Sequence, residues 1–337
     1  DNITEVPAAL ESLAAGRTGP ILALEVSDEY REREFDPEKG ASAYVNIMSG
    51  CDNFCAYCIV PFTRGRQKSR RMADILEECR KRLEEGAREI ILLGQNVNAW
   101  GKDLFSGETF ASLLDRIAVY KDLERLRFVS VHPADMDDEC VEMFAKWEKI
   151  CPRLHLPLQS GSNRVLKKMR RRYTAEEYMR LVEKLRSARP DLALSTDLIV
   201  GFPGETEEDF RETLDIMKKS AFLASYSFCY SDRPGVRASL MPDKIPDEIK
   251  GDRLIRLQAL QEEIGQELLR LRTGGETEAL IEARSPRQVA GKISWQGRDP
   301  YGVAIHLELS DPNPAGKVVR VRITAAKKHS LIGEPVN

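Results

Sequence analysis

Between residues 41 and 230 the chain alternates short apolar runs with stretches whose apolar residues recur every three to four positions. The runs predict strands over 43–48, 89–93, 127–131, 154–158, 194–200 and 225–230, and the longer period predicts helices over 73–85, 109–120, 137–146, 175–187 and 207–219. In the first of these helices Ile75, Leu76, Cys79 and Leu83 fall on one stripe. Strands alternating with helices imply a parallel sheet with right-handed crossovers. Six such units are too few for an eightfold barrel, so the expectation is an open or partial one with its site at the C-terminal ends of the strands. A helical pattern over 246–272 stops at Gly274-Gly275, and a domain boundary is placed there. Beyond it, β-type runs over 278–282, 303–308 and 317–323, broken by Ser-Pro, Gly and Asp-Pro turns, predict a small β-barrel. Residues 1–40 are charged and aperiodic apart from a helical stretch near 7–15, and read as a tail or linker. The division is therefore 1–40, 41–273 and 274–337.

The 337 residues are 42% hydrophobic and 31% charged, with 51 basic against 54 acidic side chains, which excludes both a disordered chain and a polyelectrolyte. No apolar run approaches the ~18 to 20 residues that span a bilayer, so no membrane partner is expected. The basic residues are unevenly spread, with clusters at 64–71 and 164–172. Seven cysteines is an odd number, and three of them lie between positions 51 and 58. That spacing is poor material for a disulfide framework and points to a metal or cluster site in a reducing, cytoplasmic compartment.

Cys51-Asp-Asn-Phe-Cys55-Ala-Tyr-Cys58 directly follows the first predicted strand, where a parallel α/β fold presents its functional loops. Three thiolates can hold three irons of a [4Fe–4S] cluster and leave the fourth iron open to a chelating small molecule. A zinc site would want a fourth ligand close by, and the nearest histidine in sequence is His132. The triplet, with Tyr57 before its last cysteine, resembles that of the radical S-adenosylmethionine (SAM) enzymes. Gly50 to Gly65 with Ser69-Arg70 resembles the methylthiotransferases among them, and Leu93-Gly-Gln-Asn-Val-Asn-Ala-Trp-Gly101 is similar to the MiaB type, which acts on tRNA. Further likenesses are His155-Leu-Pro-Leu-Gln-Ser-Gly-Ser162, Met169-Arg-Arg-Arg-Tyr173 and Ser195-Thr-Asp-Leu-Ile-Val-Gly-Phe-Pro-Gly-Glu-Thr206, while the C-terminal segment resembles the TRAM RNA-binding domain. Ala56 stands where a threonine is usual.

The resemblance implies a partial (β/α)6 barrel followed by a TRAM/OB-like barrel. It implies a [4Fe–4S] cluster on Cys51, Cys55 and Cys58, with SAM at the open iron and reductive cleavage to methionine and a 5′-deoxyadenosyl radical. It also implies SAM contacts at Gly94 and Gln95 for the amino group, at Arg171 for the carboxylate, at Asp197 for the ribose hydroxyls, and at Gln159 and Tyr57. The implied reaction is methylthiolation at C2 of N6-isopentenyladenosine, position 37 of tRNA, next to the anticodon. An electron donor such as flavodoxin or ferredoxin, and an anticodon stem-loop, are the implied partners. The family also carries an N-terminal domain with three cysteines for a second [4Fe–4S] cluster; nothing before Cys51 is cysteine, and 1–12 reads as the remnant of that domain. Cys79, Cys140, Cys151 and Cys229 do not match those positions and read as small core residues.

Arg64, Arg66, Lys68 and Arg70 are candidate phosphate contacts beside the cluster loop, and Arg320 and Arg322 are candidates in the C-terminal barrel, where Arg287, Lys292, Trp295 and Tyr301 add charge and stacking faces. Gly201 to Thr206 lacks the lysine of a phosphate loop and reads as a tight turn whose Thr206 caps the following helix. His132 and His155 fall at predicted strand ends with a catalytic role left open. Two other readings remain at this point: a sister enzyme acting on threonylcarbamoyladenosine or on a ribosomal-protein aspartate, against which Gln95-Asn-Val-Asn98 argues, and a non-catalytic metal-containing RNA-binding protein.

Overall fold

The computed structural model describes residues 6–21, 40–285 and 294–336. Much of the linker expectation, over 1–5 and 22–39, lies outside the described residues, as do Arg287 and Lys292. The helical stretch near the start is observed as Val6–Ala14.

The strands Ser42–Asn46, Glu89–Leu93 and Arg125–Phe128 pair in parallel, in that order, and so do Arg153–His155, Ala193–Val200 and Ala224–Cys229. A parallel bridge between Leu126 and Ile150 joins the two sets, with the Cys151 N–H donating to Leu126 O at 3.0 Å. The result is an arc of six parallel strands, and among the described residues nothing pairs with its two outer edges. Helices Met72–Glu84, Phe110–Ala118, Asp138–Lys146, Ala175–Ala188 and Glu207–Ser220 return the chain along the outside. Their apolar stripes bury Ile75, Cys79, Leu113, Leu114, Ile117, Phe144, Val182, Leu185 and Phe210 against Val45, Ile90, Leu92, Leu126, Leu154 and Leu194 of the strands. Thr109, Thr174 and Thr206 each begin a helix with a reciprocal capping box, as anticipated for Thr206.

The third and fourth strands start earlier than read, at Arg125 and Arg153. The reason lies in the lumen, where charge replaces the apolar residues that mark a strand in sequence. Arg127 pairs with the buried Glu89 at 2.6 Å, and Arg125, Arg127 and Arg153 donate to the carbonyls of Glu278, Arg298, Asp299, Pro300 and Tyr301 at 2.7 to 3.0 Å. These acceptors belong to the C-terminal domain, so that domain closes the N-terminal end of the arc and leaves the C-terminal end for chemistry. Fully buried Asp299 adds an ion pair with Arg272.

The C-terminal domain is a closed barrel of Glu276–Arg284, Ser294–Arg298, Ala304–Glu308, Val318–Ala326 and Ser330–Pro335. Two of its five strands, Ser294–Arg298 and Ser330–Pro335, were not read from the sequence, because Gly297 and Gly333 interrupt their β pattern. Gly297 is needed for close approach: a Cβ there would sit 2.6 Å from Leu280 O. Among the described residues no helix is long and apolar enough to cross a membrane.

Candidate active site at the strand C-termini

The first strand leads through Met48–Ser49, which pairs antiparallel with Lys68–Ser69 and closes the neck of a loop that carries all three clustered cysteines. Gly50 turns the chain into that loop at φ +74°, and a Cβ there would meet Arg66 O at 1.9 Å, so only glycine fits. The Gly50 N–H donates to Gln95 Oε1 at 2.7 Å. Each cysteine sulfur meets a donor: the Asn53 backbone N–H and its Nδ2 (3.7 Å) at Cys51, the Val60 N–H at Cys58, and Arg171 Nη1 (3.4 Å) at Cys55. Burial pushes the Cys51 and Cys58 thiols up, and these N–H contacts pull the other way.

Such donors suit sulfur that carries negative charge, as cluster-bound thiolate does. Among the described residues no three His, Cys, Asp or Glu gather closely enough to hold a single metal ion. Cys79 and Cys151 are different: burial pushes them up to about 12 and about 11, and they lie in the interior as inert packing. Ala56 is 2% exposed in a small core with Phe202, Met169, Tyr230 and Ala238, which explains how a residue with no ligand role holds the loop down.

The expected SAM contacts divide into two groups. Gly94 and Gln95 serve the loop itself, since a Cβ at Gly94 would lie 2.5 Å from Met48 Cγ and the Gln95 Oε1 is engaged by Gly50. Gln159, Arg171 and Asp197 converge at the end of the strands. The Gln159 N–H donates to Asp197 O at 2.8 Å, and its side chain makes no hydrogen bond among the described residues. Arg171 donates to Tyr173 Oη at 2.8 Å and to Pro157 O at 3.1 Å besides Cys55, and a guanidinium with five donors keeps N–H groups beyond these three. Tyr57 is half-buried, edge-on to Phe202 at 6.5 Å.

Sequence reading missed the residues that fasten the loop. Arg172 Nη2 donates to Asn53 Oδ1 at 2.7 Å and to both oxygens of Asp135 at 2.9 Å. Burial pushes Asp135 up, but hydrogen bonds from Lys102 and Asn96 outweigh it and hold the carboxyl well below its usual range. His132 caps the turn at Pro133–Asp135 by accepting from the Ala134 N–H at 3.2 Å. Burial first, then the Arg171 charge, push its pKa down to about 3. It is therefore neutral in the fold while an unfolded histidine protonates below about 6.5. Its contribution to stability is present above that pH and is lost as pH falls toward about 3. The His132 ring resonances are expected not to move between pH 8 and 5.5 in an NMR titration; a titration near 6.5 would overturn this assignment.

The basic run is corrected in part. Arg70 is 5% exposed, bonded to Asn46 O and Glu78, and is a buried strut rather than a phosphate contact. Arg66 pairs with Asp52 at 2.7 Å over the Phe54 ring and shapes the loop. Lys68 is half-buried in the neck strand, while Arg64 is exposed with no side-chain partner among the described residues. In the small barrel Arg320 and Arg322 are exposed and share Glu276. Trp295 is buried in the barrel core and Tyr301 lies under Arg272 with its hydroxyl on Asp191, so neither is a free stacking face. An apolar ring inside so small a barrel is worth more to folding than to binding.

Residues 45–217 match the radical SAM superfamily. A tRNA-2-methylthio-N(6)-dimethylallyladenosine synthase of Nitratidesulfovibrio vulgaris is 51% identical over 99% of this chain and 76% of its own length. A protein of the same name from Oleidesulfovibrio alaskensis is 48% identical over the same shares. Among solved structures, the coproporphyrinogen III oxidase of Escherichia coli, a radical SAM enzyme, superposes with a TM-score of 0.51 at 21% identity, over 77% of this chain and 62% of that one, a likeness of fold alone. With its three-cysteine loop at the open end of a six-stranded arc, the chain belongs to the radical SAM superfamily and, within it, to the MiaB-type tRNA methylthiotransferases.

Proposed function

We propose that this site adds a methylthio group to C2 of N6-isopentenyladenosine at position 37 of tRNA, next to the anticodon. The observation that carries the reading is the 51% identity with a synthase of that name, across a chain whose three cluster cysteines each meet an N–H donor. When bound, the cluster and SAM supply the radical that an unactivated aromatic carbon needs. This chain's part is to hold them: Cys51, Cys55 and Cys58 bind the irons, Arg171 offers its remaining N–H groups to the SAM carboxylate, and Asp197 accepts from the ribose hydroxyls. Electrons come from a flavodoxin or ferredoxin. A second [4Fe–4S] cluster would deliver sulfur. The compartment is the cytoplasm.

The RNA face in this reading is the rim of the cluster loop. Arg64, Arg233 and Arg237 carry no side-chain ion pair among the described residues, and Phe62 and Leu240 are 60% and 87% exposed beside them. The two rim segments touch, since the Ala238 N–H donates to Ala56 O at 2.8 Å. Guanidinium groups for phosphates and apolar faces for unstacked bases suit a single-stranded loop. Each of Arg64→Ala, Arg233→Ala and Arg237→Ala is expected to flatten the salt dependence of anticodon stem-loop binding by about 0.7 in log–log slope. An unchanged slope in all three would place the RNA elsewhere.

The modified-nucleoside profile of a strain lacking the gene tests the reaction. Isopentenyladenosine should remain without its methylthio form and return on complementation; loss of a methylthiolated threonylcarbamoyladenosine instead would redirect the substrate to the sister class.

A further inference from the structure

We infer that His155 is a positioning residue that fixes the Asp197 carboxylate for SAM, held in turn by Ser195. The inference rests on the proposed role of Asp197 in cofactor binding. In the parallel register His155 lies beside Ser195, and Ser195 and Asp197, two residues apart, share the lumen face of one strand. His155 Nε2 is 3.2 Å from Asp197 Oδ1, and Nδ1 is 3.1 Å from Ser195 Oγ. The Tyr226 ring, in register with Asp197, stands edge-on to the imidazole at 5.7 Å. A neutral imidazole that donates from Nε2 to the carboxylate accepts at Nδ1 from the serine hydroxyl, so the two contacts fix both its orientation and its tautomer.

The three residues have the composition of a hydrolytic triad but the opposite exposure. Ser195 is 1% exposed, the His155 side chain 19% and the Asp197 side chain 32%. In a hydrolase the serine faces the substrate and the acid is buried behind the histidine. Here the carboxylate is the working end and the serine is the anchor, which excludes Ser195 as a nucleophile. His155 is the sole side-chain partner of Asp197 among the described residues, and the second carboxylate oxygen is left for a ligand.

The test uses the full chain reconstituted with iron and sulfide, and reads SAM affinity by equilibrium dialysis, iron per chain and melting temperature. His155→Ala should keep its iron and its melting temperature while weakening SAM about tenfold, the size of one hydrogen bond to a charged group. His155→Gln, whose amide reaches the place of Nε2, should restore most of that affinity; a side chain needed only for packing would not be rescued this way. Asp197→Asn separates the two layers. Weakened SAM binding in Asp197→Asn with wild-type affinity in His155→Ala would overturn the positioning role and leave the Asp197 reading intact. Wild-type affinity in Asp197→Asn would overturn both. Where His155→Ala loses iron, His155→Gln carries the decision: near wild-type affinity supports the role, and a tenfold loss overturns it.

Discussion

Replacing Cys55 with alanine is expected to take reconstituted enzyme from about four irons per chain to a small fraction of that, and 5′-deoxyadenosine release in the presence of dithionite and SAM to background. The expectation follows from the geometry of the loop. Cys51, Cys55 and Cys58 share one turn pinned at its neck by Gly50 and Gln95, so no other thiol can replace a missing one. Cys79, Cys140 and Cys151 are buried in the interior, and Cys79→Ala should keep its iron. The fold should survive Cys55→Ala, because Arg171 retains Tyr173 and Pro157 as partners once the sulfur is gone. Iron analysis and chromatography of the nucleoside product check both variants. A Cys55→Ala protein that still held four irons and cleaved SAM would remove the cluster assignment, and bound zinc in place of iron would favour a non-catalytic RNA-binding protein.

Arg253→Met carries the largest expected effect on stability, a loss of about 3–5 kcal/mol in denaturant unfolding, typical of breaking a buried ion pair from one side. Glu205 and Arg253 are 3% and 5% exposed and 2.7 Å apart. Glu205 also accepts from the Gly201 N–H at 2.7 Å, so this pair fastens the turn after Ala193–Val200, the fifth strand of the arc, to the long helix Asp247–Arg270. Burial already pushes the Glu205 carboxyl up, and without the guanidinium it would be left charged or forced to protonate. The double variant Glu205→Gln/Arg253→Met should recover much of the loss, since no buried charge remains. A single-variant cost below about 1 kcal/mol would mean that water reaches the pair and that the turn is held by other contacts.

The legible parts of this protein were those written in local pattern. The Glu89–Leu93 strand was read to its ends because Ile90 to Leu93 is an unbroken apolar run, and the Ala175–Ala188 helix to within one residue because a capping box and an apolar stripe coincide. The strand starting at Arg125 was misplaced because its lumen residues are arginines that meet carbonyls some 150 residues further along the chain. Among site residues, the cysteines stood out by spacing alone. Arg70 and Trp295 were misread for one reason: a charge or an aromatic ring in sequence carries no label for burial, and their partners Glu78, Asn46 O and the barrel core come from packing.

The sequence by itself determined the class of chemistry and the order of elements, since a cysteine triplet after a strand and six strand-helix units are short-range patterns that survive without knowledge of contacts. Only the tertiary structure decided that Gln95 steadies the cluster loop, that Arg172 ties it to Asp135, that the small barrel seals the far end of the arc, and that His155 joins Ser195 to Asp197. Each of these is a hydrogen bond or ion pair between residues on different elements. Its partner is set by strand register, burial and the direction each side chain leaves its strand, quantities that do not exist until the chain has closed on itself.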